Sequence, residues 1–305
     1  MERARQHIKA QIADPLGLSV EDAAAGVIEL LDLQLRDYLR ANISAKGYNP
    51  ADFVCFSYGG AGPVHTYGYT EGAGFKDVIV PAWAAGFSAF GCACADFEYR
   101  YDKSVDIAVP QFAADAAKEA ACQTIQGAWA ELAAKVIDEF VINGFKPEDV
   151  ILRPGFRMQY MGQLNDLEIT SPIASAATAA DWDQIVEAYE NTYARVYASS
   201  ARSPELGFSV TGAIMRGLVM TQKPVLPEDP EMGEAPPAEA RLGTRPFYRN
   251  RKWVDAVLWK MESLKPGNRI AGPAIIESDA TTFVVPDGFE TRLDKHRLFH
   301  LREVK

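Results

Sequence analysis

Histidine and cysteine are scarce in this chain of 305 residues, four of each, and their placement removes most metal chemistry from consideration. His7, His65, His296 and His300 form no H-E-x-x-H pair or comparable cluster. Cys92-Ala93-Cys94 is a single C-x-C, whereas structural zinc sites repeat a wider cysteine pair. Cys55, Cys92 and Cys94 sit among apolar or small residues, so the expectation for them is burial as small hydrophobes. Any metal chemistry is expected from another chain. No stretch approaches the roughly twenty apolar residues of a membrane helix. The start, Met1 to His7, is mixed and polar, without the apolar centre of a signal peptide. The expectation is a cytoplasmic protein with no membrane partner. Basic residues are also in deficit: 31 Lys+Arg against 41 Asp+Glu leave a net charge of -10 and no basic stripe, which argues against nucleic acid as a partner.

What is present reads as an α/β chain. Ser19, three residues before Asp22, caps a helix whose apolar positions Val27, Leu30, Leu31, Leu35, Tyr38, Leu39 and Ile43 run towards Gly47. Asp52 to Ser57 is a short apolar run that predicts a strand buried on both faces. A glycine turn, a short helix to about Gly74 and a second buried strand, Val78 to Pro81, follow. Small residues dominate positions 86–95, and positions 97–109 read as extended. Positions 112–142 and 182–197 read as helices on either side of a β-like stretch, 150–170. Five prolines and several acids between 222 and 243 predict a surface linker or an arm that becomes ordered on a partner. Short extended runs separated by Pro-Gly, Gly-Pro and Asp-Gly pairs complete the chain. The expected organisation is a lobe over residues 1–221, a linker over 222–243 and a smaller β-rich module over 244–305.

The segment Ser57 to His65 carries the most chemical information. Glycines after a strand let the main chain approach a flat or anionic ligand, and Pro63 is suited to open a helix whose amides would face it. The same spacing fits a plain tight turn. His65 is a candidate general base or, equally, a histidine held by the backbone. Asp96, Glu98 and Asp102 read as a solvated face, Asp166 and Glu168 as acids on one strand, and Gly162 as a hairpin turn. No catalytic residue is assigned.

Val54 to His65, Val78 to Pro81 and Gly86 to Gly91, with the later motifs Gly272 to Glu277, Thr281-Thr282 and Val284 to Gly288, resemble the hydantoinase A/oxoprolinase family in order and spacing. The resemblance implies an actin-like ATPase lobe, the fold of sugar kinases and heat-shock chaperones, with a smaller β-rich C-terminal module. It implies that Ser57, Gly59, Gly60, Ala61, Gly62, Pro63 and His65 lie at bound ATP. The Asp-x-Gly-Gly-Thr phosphate loops of the family are missing from this sequence. ATP with its Mg would therefore be held mainly by a partner chain that carries them. Arg157 to Ile169 is more similar to the ATP-dependent ketone carboxylases, of acetone and acetophenone type, than to the hydantoinases. That likeness implies a subunit of a complex that joins ketone and bicarbonate into a 3-oxo acid and is inactive alone. The alternatives are a hydantoinase or 5-oxoprolinase subunit that opens a cyclic amide, and a non-catalytic scaffold.

Overall fold

The computed structural model describes residues 2–304. Helices α1 (Glu2–Ile8) and α2 (Asp14–Leu16), joined through a π-helical turn, precede the long α3 (Val20–Ser44). Then come β1 (Val54–Phe56), α4 (Gly62–Thr70), β2 (Asp77–Pro81) and α5 (Phe87–Cys94). The middle of the chain holds β3 (Phe97–Val109), α6 (Asp115–Ile142), β4 (Ile151–Tyr160), β5 (Leu167–Thr170), α7 (Ala179–Tyr197) and β6 (Phe208–Val219). Seven strands follow: β7 (Arg241–Arg249), β8 (Lys252–Lys260), β9 (Arg269–Ala271), β10 (Ala274–Glu277), β11 (Thr282–Val285), β12 (Phe289–Leu293) and β13 (Leu298–Glu303).

Two compact units result, and their borders differ from the expected ones. The first combines the chain up to Ala93 with everything from Pro224 onward; the second is Cys94–Lys223. The C-terminal strands do not form a separate module. β13 pairs antiparallel with β2, Phe299 opposite Val80, and β12 and β9 extend the same sheet in the order β1-β2-β13-β12-β9. Apolar faces decide this arrangement, because Val80, Phe299, Leu301, Leu293 and Ile270 are all buried in one core. His300 adds a polar tie, its Nδ1 2.7 Å from Asp77 and its Nε2 3.2 Å from Asp294. A second sheet of this unit runs β11-β10-β8-β7, with β8 and β10 parallel.

The proline- and acid-rich segment makes contacts within its own chain. Residues 224–237 run without helix or strand along their own unit, ahead of a 3-10 turn at Ala238–Ala240 and the start of β7, and here Asp229 N–H donates to Lys295 O at 2.9 Å and Asn268 Nδ2 donates to Gly233 O at 2.9 Å. The segment's acids find local bases: Glu228 pairs with Lys295, Glu231 with Arg292 and Glu234 with Arg269.

The second unit is an antiparallel sheet, β3-β6-β4-β5, covered on one face by α6 and α7. α6 buries Ile125, Trp129, Leu132, Val136 and Phe140, a three-and-four spacing that puts them along one side of the helix. Trp129 Nε1 donates to Gly155 O at 2.8 Å, which satisfies the indole within the core. The Thr178–Asp181 capping box starts α7. Arg100, Asp102, Arg157, Glu168 and Arg216 form an ion-pair network on the sheet, so these carboxylates are matched to arginines and do not act as paired acids. Gly162 has φ +85° in the β4–β5 connection, as the hairpin reading expected.

Two burial expectations fail. β1 is the edge strand of its sheet, with Val54 39% and Phe56 41% exposed, because only β2 lies beside it. Of the cysteines only Cys122 is buried; Cys92 is exposed, and Cys55 and Cys94 are half-buried. α5, which carries Cys92 and Cys94, buries none of its residues, so small size here does not signal core position.

Candidate functional site

Of the seven residues read from the sequence as a ligand site, Ser57, Gly59, Gly60 and Ala61 lie in the turn between β1 and α4, and Gly62, Pro63 and His65 lie at the start of α4. β1 pairs parallel with β2, and this register holds the strand's end, with Ser57 N–H donating to Ile79 O at 2.8 Å. Ser57 is 1% exposed, and Thr66 Oγ1 donates to its Oγ at 2.6 Å. Gly59 requires glycine: its φ is +91°, a region that costs other residues steric strain. Its N–H donates to Ala84 O at 2.8 Å. Gly60 and Ala61 are exposed at the crown of the turn, Gly62 begins α4 and Pro63 is buried in its first turn, where the missing N–H costs nothing.

The polarity of this turn is one-sided. Thr281, 5% exposed at the tip of the β10–β11 hairpin, donates through one hydroxyl to Gly59 O at 3.1 Å and Gly60 O at 3.0 Å. Among the described residues no acceptor faces the amides of Gly60, Ala61 or Gly62. The turn therefore presents N–H groups at the start of a nine-residue helix, a location whose dipole favours an anionic oxygen.

An aromatic shelf stands beside it. Phe56 stacks on Phe87 at 5.4 Å between ring centroids, Tyr58 leans on Phe87 at 5.1 Å, and Phe90 follows at 6.0 Å. Tyr58 is 47% exposed, so the shelf keeps an accessible ring next to the open amides. Such a surface suits a flat ring, and the amides suit a charged group attached to it. The turn thus fits adenosine and its phosphates in chemical character; amides, a hydroxyl and aromatic rings offer no ligand set for a divalent ion. Among the described residues no group of three or more His, Cys, Asp or Glu side chains is placed to hold a metal.

His65 departs from this arrangement. Its Nδ1 lies 2.8 Å from Oδ1 of Asp32 on α3, an acid that is 6% exposed. Burial pushes the Asp32 carboxyl above the ordinary range, against the pull of His65. The pair joins α4 to α3. A groove of about 550 Å³ opens on that side, lined by Asp32, Arg36, Tyr67, Glu71 and Arg249, and none of the seven expected residues lines it. Arg36 Nη1 donates to Glu71 O, and the Arg249 guanidinium lies 4.6 Å above the Tyr67 ring, so the groove's cations are already engaged. The Cys55 thiol, pushed up to about 11 by burial, is no nucleophile at neutral pH.

Sequence reasoning found the turn and carried Thr281-Thr282 as a motif of the family without giving Thr281 a role there, and it did not find the aromatic shelf or Asp32. The shelf left a readable signal, aromatics two apart at the end of a strand, Phe56 and Tyr58, and three apart on a helix, Phe87 and Phe90. Asp32 left none, and the motif at Thr281 did not reveal its contact with the turn, because the partners of both are distant in sequence.

Comparison with known proteins assigns both parts of the chain. The hydantoinase/oxoprolinase profile matches residues 1–101, and that of the hydantoinase/oxoprolinase C-terminal domain matches residues 112–304. The chain belongs to the hydantoinase/oxoprolinase family. The acetone carboxylase beta subunit of Xanthobacter autotrophicus is 72% identical over 303 residues, covering 99% of this chain and 42% of the relative. The acetophenone carboxylase gamma subunit of Aromatoleum aromaticum is 31% identical over 309 residues, covering 99% and 41%. A solved nucleotide-free structure of acetone carboxylase, from work on ATP-dependent acetone carboxylation, is 72% identical with a TM-score of 0.72, covering 99% of this chain and 43% of that one. The chain thus spans about two fifths of the length of these relatives. Its α/β architecture with mixed sheets is the actin, heat-shock chaperone and sugar-kinase ATPase fold that the resemblance implied.

Proposed function

We propose that this chain is part of an ATP-dependent ketone carboxylase, and that its glycine turn forms one wall of the nucleotide site. The observation that carries the reading is 72% identity along 99% of the chain to an acetone carboxylase beta subunit. The turn supports it, since Gly59 keeps the φ that the backbone needs and the amides of Gly60, Ala61 and Gly62 remain open. Bound ATP with Mg supplies a transferable phosphoryl group that activates ketone and bicarbonate. Residues of this chain hold and orient: the amides donate to acceptor atoms of the nucleotide, the Phe56–Tyr58–Phe87 shelf receives a ring, and α4 contributes its N-terminal dipole. Phosphoryl transfer also requires charge stabilisation that neutral amides do not provide, so the phosphate-binding loops and Mg belong to polypeptide outside these residues.

That missing polypeptide has a surface to meet. Val27, Leu30, Leu31 and Tyr38 of α3 and Val54 and Phe56 of β1 are all at least 39% exposed, an apolar display that a partner would cover. Alone, the chain turns over no ATP. An ATP-using complex of this kind works in the cytoplasm. The test is to co-express the chain with its genomic neighbours, purify the complex and measure ATP hydrolysis. Hydrolysis that requires both a ketone and bicarbonate, with formation of a 3-oxo acid, is the expected result. Hydrolysis stimulated by a hydantoin or 5-oxoproline would assign the chain to cyclic-amide opening, and a complex without ATP hydrolysis would leave it a scaffold.

A further inference from the structure

The glycine turn raises a question of control. The peptide between Gly59 and Gly60 is flanked on both sides by residues without a Cβ, so its plane can rotate at little steric cost. In one orientation it shows an N–H to the ligand; in the other it shows a carbonyl oxygen, which would repel a phosphate.

We propose that Thr281 is the positioning residue that fixes this choice, by holding the carbonyls of Gly59 and Gly60 inward and so directing the amides of Gly60 and Ala61 outward. The inference rests on the nucleotide reading of the turn and deepens it. In a trans peptide the C=O and the following N–H point in opposite directions. Fixing Gly59 O therefore fixes Gly60 N–H, and fixing Gly60 O fixes Ala61 N–H. The Thr281 hydroxyl lies 3.1 Å and 3.0 Å from those two oxygens and shares its single proton between them. Both carbonyls thus lean on one donor, and no other described residue donates to either.

The clamp is itself held rigidly. Ser278 to Thr281 is the turn of the β10–β11 hairpin, closed by Ser278 N–H donating to Thr281 O at 2.9 Å and by Thr281 N–H donating to Ser278 Oγ at 3.1 Å. Strand pairing from Glu277–Thr282 to Ala274–Val285 continues that support. Below the turn, Ala84 O holds the Gly59 amide and Ile79 O holds the Ser57 amide. The inward groups are therefore all engaged, and the three outward amides are the ones left. A residue near the end of the sequence sets the geometry of a turn near its beginning.

The experiment uses the assembled enzyme with Thr281→Val, Thr281→Ser and Gly60→Val. Val keeps the shape and removes the hydroxyl; Ser keeps the hydroxyl. Two quantities are read: ATP affinity by calorimetry, and hydrogen exchange of peptides covering residues 58–62. Thr281→Val is expected to weaken ATP binding by about tenfold, the order of one or two lost hydrogen bonds, and to speed exchange of the Gly59 amide, the hydrogen-bonded one of residues 58–62. Thr281→Ser is expected to restore both to within about twofold. A Thr281→Val enzyme with unaltered exchange, or Val and Ser equally impaired, would overturn the clamp. Gly60→Val separates the two readings. Its backbone φ is not in the left-handed region and an added Cβ would lie 3.6 Å from Ala280 O, so the variant is expected to fold, while its branched side chain fills the crown. If Gly60→Val leaves ATP affinity unchanged, the nucleotide assignment falls, and exchange alone then judges Thr281. If Gly60→Val weakens binding and Thr281→Val does not, only the clamp is refuted. Should Thr281→Val fail to assemble, Thr281→Ala removes the same hydroxyl with less bulk and carries the same expectations.

Discussion

A Cβ placed on Gly68 would lie 2.0 Å from Oδ2 of Asp32 and 2.8 Å from its Cβ, so this glycine exists to admit a buried acid between α3 and α4. Gly68→Ala should displace Asp32 from His65 and destabilise the protein by about 1–3 kcal/mol, the usual range for overpacking. Denaturant unfolding measures this; an unchanged midpoint would mean that α3 slides freely on α4. The same pair shows where reading a sequence stops. Gly59, Gly60 and Gly62 announce themselves because a run of glycines after a strand has few other uses. Asp32 does not, since an acid in a helix is by default a solvated residue, and only the neighbouring backbone at Gly68 reveals that it is enclosed. The cysteines mislead for the converse reason: small neighbours describe how closely chains can approach, not whether anything approaches.

Periodicity predicted the helices and strands well, as with α3, α6 and β3, because an apolar repeat is a property of the element alone. It did not say what covers the repeat. On α3 the apolar positions are present, yet Leu30 is 57% and Tyr38 70% exposed. For β1, Phe53 C=O and Ser57 N–H point to β2, so the alternating residues Val54 and Phe56 turn their backbone groups to the open edge. Phe56→Asp should therefore reduce recovery of partner chains in co-purification at least severalfold while the isolated chain stays folded; full recovery would show that this edge is not an interface. In the second unit the charged sheet face makes a different prediction. Hydrogen bonding to Arg100 holds the Asp102 carboxyl below its ordinary value. Burial pushes Glu168 up, but Arg100 and Arg216 outweigh it, and its net shift is also downward. For carboxyls depressed in the folded state, the stabilisation is complete above their ordinary values, about 4 to 4.5, and is lost as pH falls below them. Thermal unfolding midpoints should drop on that acid side, and Arg100→Ala should flatten the drop. An Arg100→Ala protein with the same acid slope would refute this assignment.

The domain borders were the least legible feature at the scale of the whole molecule. A proline- and acid-rich stretch signals surface chain, which residues 224–239 are, but composition carries no information about which sheet a later strand will join. The second unit has its own core and its chain ends meet, Asp96 accepting from Thr221 N–H at 2.9 Å and pairing with Lys223. Residues 94–223 expressed alone should fold cooperatively, with the circular dichroism of a mixed α/β domain; an unfolded fragment would show that its stability is borrowed. The first unit cannot be cut in this way. Its sheet places β13 between β2 and β12, so a central position stays vacant until a strand separated from β2 by the entire second unit arrives. During synthesis on the ribosome, residues 94–223 are free to fold while β1 and β2 wait beside an empty slot, two exposed edges with no partner yet made. A chain that stalls before residue 298 is thus left with a gap in the middle of a sheet, a state that invites the strands of another molecule, and timely completion becomes a condition for solubility.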